Sequence, residues 1–237
     1  MAGRLFAVGD LHGCARELER LLAALRPTAG DTIAFVGDYV DRGPDSRSVI
    51  ELLLDLEGRS RLTTVFLKGN HEDMCLGYLG LGGHWGESWM MNGAGATLQS
   101  YGLDPHAPAA EARGALPAAH VAFLQRLLPY RADDDWLLVH AGIRPGRPLA
   151  AQDEEDLLWI RDEFILEPHE LPQTVVFGHT PFRAPLVDLP YKIGIDTGCV
   201  YGGTLTALEL RERTVFQLRR GERAVRSHSL APVPRRA

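Results

Sequence analysis

The sequence has few cysteines, no long apolar run and no excess of positive charge. Its three cysteines, Cys14, Cys75 and Cys199, are far apart and form no C-x-x-C pair, so neither a disulfide framework nor a cysteine-ligated zinc site is indicated. No apolar run approaches the roughly 18 residues of a membrane-spanning helix, and no signal-peptide pattern follows Met1. A formal net charge of −6 disfavours binding to nucleic acid through phosphate contacts. We therefore expect a cytoplasmic protein without a membrane or nucleic-acid partner, and the oligomeric state stays open.

The composition is otherwise that of an ordinary globular protein. Of the 237 residues, 45% are hydrophobic and 24% are charged, which suits a chain that buries a sizeable core. We predict a single domain over residues 1–220. Residues 221–237, where prolines and arginines accumulate, are predicted to be a flexible tail.

Strand and helix patterns alternate through the first third of the chain. Short apolar runs at Leu5–Val8, Thr32–Val36 and Thr63–Leu67 predict buried strands. Leucines at helical spacing predict an amphipathic helix over Ala15–Leu25, and a second helical pattern runs from 49 to 56. This alternation indicates an α/β fold in which crossovers connect parallel strands.

The rest of the chain is less regular. Residues 79–117 are rich in Gly, Ala, Pro and aromatic residues, and we interpret them as a small helical cap that leaves the sheet. Trp85, Trp89 and Tyr101 are expected to pack this cap onto the sheet, with a place at a substrate rim as the alternative. A short helical turn is predicted at Glu154–Arg161. Six further strands are predicted, the last four of them antiparallel: Trp136–Val139, Val175–Phe177, Leu186–Asp188, Ile193–Ile195, Leu205–Leu210 and Val215–Leu218.

Five of the predicted strands end in short loops that carry possible metal ligands beside glycine. The side chains in these loops are Asp10 with His12, Asp38 with Asp41, Asn70 with His71, His140, and His179. Any one of these histidines alone would be explained by an ordinary structural hydrogen bond. Because open α/β sheets place their ligands at the carboxyl ends of the strands, five such loops predict one shared site.

The residue types indicate a pair of divalent metals. Oxygen and imidazole ligands without thiolate suit Mn, Fe, Zn or Mg, and a bridging aspartate would join two ions about 3.5–4 Å apart. Such a pair lowers the pKa of a bound water and neutralises phosphate oxygens during phosphoester hydrolysis. The guanidinium of Arg42 matches the geometry of a phosphate. His71 then remains as the acid for the leaving group.

The order and spacing of these motifs resemble a known family. The segments G-D-L-H-G (9–13), G-D-Y-V-D-R-G (37–43), G-N-H-E (69–72), H-A-G (140–142) and G-H-T (178–180) resemble the signature of the phosphoprotein phosphatase superfamily of metallophosphoesterases. The resemblance implies a β-sandwich of two mixed sheets flanked by helices. It also implies that the antiparallel strands after residue 184 join the second sheet.

The resemblance further implies a role for each matched residue. Asp10 and His12 would hold the first metal, Asp38 would bridge, and the second metal would be held by Asn70, His140 and His179. Mn²⁺ is the expected metal, with Fe, Zn and Mg as alternatives.

The catalytic residues follow in the same way. His71 would be the general acid, oriented by Asp41, and Arg42 would bind the substrate phosphate with help from Asn70. Arg161 resembles a second phosphate-binding arginine, although a surface ion pair with Asp162 or Glu163 would explain it equally well. Tyr201, in a segment that resembles the last loop of the family, is a candidate for substrate contact.

The finer resemblance favours one substrate class. Asp41 and Glu72 are both of the phosphatase kind, and residues 89–95 resemble the W-x-x-N-G-G segment of phage-like bacterial phosphatases. We therefore expect a phosphoprotein phosphatase for Ser/Thr and also Tyr phosphates, with small phosphoesters as further substrates. The alternatives are a symmetrical dinucleoside tetraphosphate hydrolase and a catalytically silent phosphate-binding scaffold.

Overall fold

Eleven strands are formed by the residues that the computed structural model describes, which are 3–59 and 61–230. They are β1 (Leu5–Val8), β2 (Thr32–Phe35), β3 (Thr63–Phe66), β4 (Tyr130–Ala132), β5 (Trp136–Val139), β6 (Thr174–Phe177), β7 (Leu186–Asp188), β8 (Lys192–Gly194), β9 (Thr204–Glu209), β10 (Thr214–Arg219) and β11 (Arg226–Ser229). The α-helices are α1 (Ala15–Leu25), α2 (Ser46–Glu57), α3 (Asn70–Tyr78), α4 (Ala94–Ser100), α5 (Ala109–Ala115), α6 (Ala118–Gln125), α7 (Glu154–Trp159) and α8 (Asp162–Ile165). Short 3₁₀ helices lie at Gly86–Asn92, Leu149–Ala151 and Cys199–Tyr201.

The strands form two mixed sheets. The first has the order β11-β10-β9-β1-β2-β3, and the second has the order β4-β5-β6-β8-β7. In the first sheet β1, β2 and β3 are parallel and β9 to β11 are antiparallel. In the second, β5, β6 and β8 are parallel, and β4 and β7 pair antiparallel at the edges. Two mixed sheets flanked by helices confirm the predicted fold class.

The core has three layers. Side chains from both sheets, such as Ala34 and Val176, share one buried cluster between the sheets. A larger cluster lies between the first sheet and the helices that cover it, and it includes Leu18 of α1 and Trp89 of the cap. The third lies between the second sheet and α7 and α8, where Phe164 is fully buried. Within the described residues, no helix combines the length and the apolar character that a membrane span requires.

Local sequence explains where the first helices begin and end. The leucines of α1 are buried on one face, as its apolar spacing predicts. Arg26 follows α1 in the left-handed conformation, with its N–H donating to the Leu22 carbonyl, which is a common way for a helix to end. Asp45 caps α2 by accepting the N–H of Ser48 at 3.0 Å.

The last strands correct two predictions from the sequence. The strand at Lys192–Gly194 is parallel to its neighbour β6, so the strands after residue 184 are not all antiparallel. Only β7 and β8 join the second sheet, whereas β9 and β10 extend the first sheet by pairing beside β1. Without β9, the edge of β1 opposite β2 would expose unpaired backbone groups.

The predicted tail is also partly wrong. Arg226–Ser229 forms β11, which pairs antiparallel with β10 and places Ser227 opposite Phe216. The polar and basic composition of this segment suits an exposed edge strand. Residues 231–237 of the predicted tail lie outside the described residues.

Candidate metal centre and active site

The loops after β1, β2, β3, β5 and β6 converge on Asp38. Its Oδ2 lies 3.4 Å from His12 Nε2, and its Oδ1 lies 3.4 Å from His140 Nε2. Ligand atoms of His12, Asp38 and His71 lie within 4.8 Å of one another, and so do those of Asp38, His140 and His179. The two carboxylate oxygens of one aspartate therefore face two separate groups of histidines.

The geometry around Asn70 is suited to a cation. Its Oδ1 lies 3.0 Å from both His140 Nε2 and His179 Nδ1. His140 Nδ1 donates to the Val36 carbonyl at 2.9 Å, so in a neutral ring Nε2 bears a lone pair. Burial lowers the pKa of His140, which keeps the ring neutral. Two acceptor atoms, His140 Nε2 and Asn70 Oδ1, consequently face one another, and this arrangement is stabilised by a bound metal ion.

His12 is prepared in the same way on the other side of Asp38. Its Nδ1 donates to the Val40 carbonyl at 2.8 Å, and burial lowers the pKa of the ring to about 3. The Nε2 lone pair is thus available, and in the structure it accepts a hydrogen bond from Arg42 Nη1 at 2.8 Å. A neutral imidazole oriented by a backbone carbonyl is the usual form of a metal-ligating histidine.

Carboxylates are crowded around this point. Burial opposes ionisation of Asp38, yet His140 and the other nearby imidazoles hold the pKa of Asp38 well below its usual range. Asp10 behaves differently, because burial and the charges of Asp196 and Asp38 raise the pKa of its carboxyl. Asp10 belongs to neither three-residue group, and its two oxygens accept the backbone N–H of His179 at 3.2 and 3.0 Å. A bound divalent cation would reduce the electrostatic repulsion between these buried carboxylates.

His71 and Asp41 form a buried pair beside the first group. His71 Nδ1 lies 2.6 Å from Asp41 Oδ2, and both side chains are fully buried. Burial alone would lower the pKa of His71, but the negative charges of Asp38 and Asp41 raise it overall. Its Nε2 has no hydrogen-bond partner among the described residues. The ring therefore has one nitrogen fixed and the other available to hold a proton for a substrate.

Two cap residues that the sequence did not assign to the site also bind Asp41. Trp89 Nε1 donates to Asp41 Oδ2 at 2.8 Å, and Thr97 Oγ1 donates to Asp41 Oδ1 at 2.7 Å. Trp89 does pack the cap as predicted, because its ring is fully buried. The only sequence signal was its place in the phosphatase-like W-x-x-N-G segment, and Thr97 had no signal.

Three of the four predicted substrate-binding side chains lie at the rim, whereas the fourth, Asn70, is buried. Arg42 and Arg161 are exposed, and Tyr201 is 62% exposed with its ring centre 5.8 Å from the Arg42 guanidinium. Arg161 Nη1 donates to Thr180 Oγ1 at 3.1 Å and to the His179 carbonyl at 3.4 Å. Among the described residues, Arg161 forms no ion pair with Asp162 or Glu163. Its hydrogen bonds connect it instead with the loop that carries His179.

Glu72 holds the loop that carries Asp38. Its carboxylate accepts the backbone N–H groups of Asp38, Tyr39 and Val40 at 2.9, 2.8 and 3.2 Å. It also accepts the N–H of Gly69 at 3.0 Å, where a Cβ would lie only 2.2 Å from Asp38 Oδ1. The sequence marked Glu72 as a clue to substrate, and the structure shows that it joins the two loops.

These features identify a metal-dependent phosphoesterase. The family model for calcineurin-like phosphoesterases matches residues 3–228, so the chain belongs to the calcineurin-like phosphoesterase family. This confirms the resemblance drawn from the motifs, and family membership together with the two ligand groups implies that the protein holds divalent metal ions and hydrolyses phosphoesters.

Individual relatives differ in the substrate that their names state. The chain is 32% identical to serine/threonine-protein phosphatase 1 of Salmonella typhimurium, over 87% of this chain and 92% of that protein. It is 28% identical to bis(5'-nucleosyl)-tetraphosphatase PrpE [asymmetrical] of Halalkalibacterium halodurans, over 86% and 89% of the two chains. A solved structure described as a putative diadenosine tetraphosphatase has a TM-score of 0.71 and 27% identity, covering 93% of this chain and 95% of the other.

Proposed function

We propose that the protein is a two-metal phosphoester hydrolase that acts on phosphoproteins. The main support for a two-metal site is the position of Asp38. Its two carboxylate oxygens lie 3.4 Å from His12 on one side and 3.4 Å from His140 on the other. The proposed ligands are Asp10, His12, Asp38, Asn70, His140 and His179. Mn²⁺ is the proposed metal, because oxygen and imidazole ligands accept it and no thiolate competes.

The residues around the metals have separable tasks. When bound, two divalent ions would lower the pKa of a water and neutralise phosphate oxygens. Arg42 and Arg161 orient the phosphate from the exposed rim, and Asn70 and Tyr201 add further contacts to it. His71, held by Asp41, gives the proton on Nε2 to the leaving oxygen as the P–O bond breaks.

The exposed rim favours a protein substrate over a small molecule that binds in an enclosed pocket. Arg42, Arg161 and Tyr201 are all solvent-exposed, so a phosphorylated side chain on a folded or extended partner can reach the site. The relative with 32% identity, whose name states serine/threonine-protein phosphatase activity, supports the same substrate class. The complete ligand set together with His71 argues against a silent scaffold.

A second candidate substrate is a dinucleoside tetraphosphate. A cavity of about 340 Å³ beside the site is lined by Trp85, Trp159, Ser88, Asn92 and Glu155. The Trp159 ring lies 6.1 Å from the ring of His179, so the cavity adjoins the proposed metal site. Indole rings stack on nucleobases, and several relatives carry the name bis(5'-nucleosyl)-tetraphosphatase.

The two substrates can be separated in one assay. Mn²⁺-loaded protein is compared on phosphoserine, phosphothreonine and phosphotyrosine peptides and on diadenosine tetraphosphate, with Trp85→Ala and the exposed Met91→Ala as matched variants. The proposal expects higher kcat/KM on peptides and equal peptide turnover by both variants. A large preference for the dinucleotide that only Trp85→Ala removes would favour the second candidate. The products of diadenosine tetraphosphate hydrolysis then show which bond is cleaved. Asymmetrical cleavage gives ATP and AMP, and symmetrical cleavage gives two ADP.

A further inference from the structure

The cap reaches the acid pair, Asp41 and His71, through two side chains that donate to Asp41. Trp89, in the 3₁₀ helix Gly86–Asn92, donates its indole N–H to Asp41 Oδ2 at 2.8 Å. Thr97, on α4, donates its hydroxyl to Asp41 Oδ1 at 2.7 Å. Both side chains are fully buried. Each oxygen of the Asp41 carboxylate therefore has a donor from the cap.

The hydrogen bonds around Thr97 fix the orientation of its hydroxyl group. Thr97 Oγ1 accepts the backbone N–H of Asp41 at 2.8 Å, while its own hydrogen is used for the Asp41 carboxylate. The hydroxyl of Ser46, 3.0 Å from Thr97 Oγ1, must then be the donor in that pair, because Thr97 has only one hydrogen to give. Thr97 thus holds both the backbone and the side chain of Asp41.

The backbone at Asp41 needs such support. Asp41 and Arg42 have φ of 72° and 65°, in the left-handed region that residues with a Cβ seldom occupy. A third cap contact lies here, because Arg42 N–H donates to the Gly93 carbonyl at 3.1 Å. Unfavourable backbone conformations persist where surrounding contacts hold them, and they occur preferentially at functional sites.

The orientation of His71 depends on the same carboxylate. With a donor on each oxygen, Asp41 presents Oδ2 to His71 Nδ1 at 2.6 Å in a fixed direction. His71 Nδ1 must carry the hydrogen of that bond when Asp41 is a carboxylate. The proton available to a leaving group is consequently the one on Nε2.

We propose that Trp89 and Thr97 are positioning residues that fix the Asp41 carboxylate and, through it, the orientation of His71. The cap then sets how efficiently the protein protonates a poor leaving group. This inference rests on the proposed function, specifically on His71 as general acid. Loss of either donor lets the carboxylate and the imidazole rotate away from the leaving oxygen, without removing a metal ligand.

The positioning role of Trp89 and Thr97 can be tested by comparing a substrate with a poor leaving group and a substrate with a good one. Trp89→Phe keeps the ring and removes the N–H, Thr97→Val removes the hydroxyl, and Thr97→Ser keeps it. With a phosphoserine peptide, kcat should fall at least about tenfold in the first two variants, which is part of the ~10²–10⁴-fold that a positioned acid contributes. With p-nitrophenyl phosphate, whose leaving group needs little protonation, the fall should be less than about threefold. Thr97→Ser and the distant Trp136→Phe should match the parent protein.

A double variant and one spectroscopic measurement complete the test. In a His71→Asn background, Trp89→Phe should have no further effect, because the two residues act as one unit. In the protein without added metal, NMR should detect a protected, strongly downfield Nδ1 proton of His71 that weakens or exchanges faster in Trp89→Phe. Equal losses on both substrates, additivity with His71→Asn, or an unchanged Nδ1 proton would overturn the inference. If His71→Asn itself left the phosphoserine rate unchanged, the acid assignment would fail, and the NMR result would still decide whether the cap orients His71.

Discussion

At the residue scale, the site depends on side chains that carry two polar atoms, each of which contacts a different partner. Asp38 offers one carboxylate oxygen to each group of histidines. His12 and His140 each donate the N–H of one ring nitrogen to a backbone carbonyl and turn the other ring nitrogen towards Asp38. Substitutions that change one of these polar atoms should therefore distinguish residues that bind the metal from residues that act on the substrate.

Asp38→Asn should abolish phosphoester turnover and weaken metal binding. The amide removes the negative charge that both groups share, and its NH₂ places a donor where an acceptor is required. Metal content after dialysis and kcat with p-nitrophenyl phosphate measure the two effects. Asp162→Asn, at an exposed site near Arg161, is the matched control, and an Asp38→Asn protein with parental kcat would refute the bridging role.

His71→Asn should lower kcat on a phosphoserine peptide by at least about a hundredfold, the low end of what general acid catalysis contributes. Metal binding should change much less, because the proposed ligand set does not include His71. Steady-state kinetics together with metal content distinguish the two. Parental kcat in this variant would leave the metal assignment intact and reject the acid.

Arg42→Ala should lower kcat/KM by about 10²-fold, the range seen when one donor to a developing negative charge is removed. The loss should appear in both kcat and KM, because the guanidinium contacts the phosphate before and during bond breaking. Inhibition by inorganic phosphate should weaken in parallel. An unchanged kcat/KM would show that Arg42 does not contact the phosphate.

At the element scale, polar anchors hold the sheet and loops in register. Asp31, just before β2, accepts hydrogen bonds from the backbone and side chain of Arg4 and of Thr28. Burial would raise the pKa of Asp31, but these hydrogen bonds outweigh it and hold the pKa well below its usual range. Asp31 thereby ties the start of β1 to the start of β2.

Asp31→Asn should lower the free energy of unfolding by about 1–3 kcal/mol at neutral pH. Because the folded pKa is depressed, the stabilisation is complete above the unfolded pKa of about 3.9 and is lost as pH falls towards the folded value. Urea unfolding at several pH values should show the difference between parent and variant shrinking below about pH 4. Asp55→Asn, in an exposed pair with Arg59, should change stability by less than about 0.5 kcal/mol, and a pH-independent deficit in Asp31→Asn would contradict the assigned cause.

Elements set by local pattern were predictable, and those set by distant pairing were not. The bounds of α1, β1, β5 and β7 match the prediction residue for residue. The position of β9 beside β1 depends on pairing between residues about 200 positions apart, which no local pattern encodes. The same holds for Thr97 on Asp41, 56 residues away. The loop residues were predictable because five strand ends share one chemistry.

At the scale of the whole molecule, the two sheets meet so that loops from both surround one aspartate. Asp10, Asp38 and Asn70 follow strands of the first sheet, whereas His140 and His179 follow strands of the second. Metal ions bound here would therefore connect the two sheets. Binding to the folded form alone stabilises a protein by mass action.

Mn²⁺ should accordingly raise the midpoint of thermal unfolding. At a hundred times Kd the gain is about 2.7 kcal/mol per site, and a chelator should reverse it. Scanning calorimetry of the parent and of Asp38→Asn measures the effect. An equal rise in both proteins would show that the metal binds elsewhere.

If this convergence of loops is a metal-dependent phosphoesterase site, the protein should hydrolyse p-nitrophenyl phosphate only while metal is bound. The rate is measured for the parent with Mn²⁺, for the same sample after chelation and re-addition of Mn²⁺, and for Asp38→Asn. We expect turnover that disappears when the metal is removed, returns when Mn²⁺ is added again and is absent in Asp38→Asn. A parent protein that with Mn²⁺ turns over no more substrate than Asp38→Asn would contradict it.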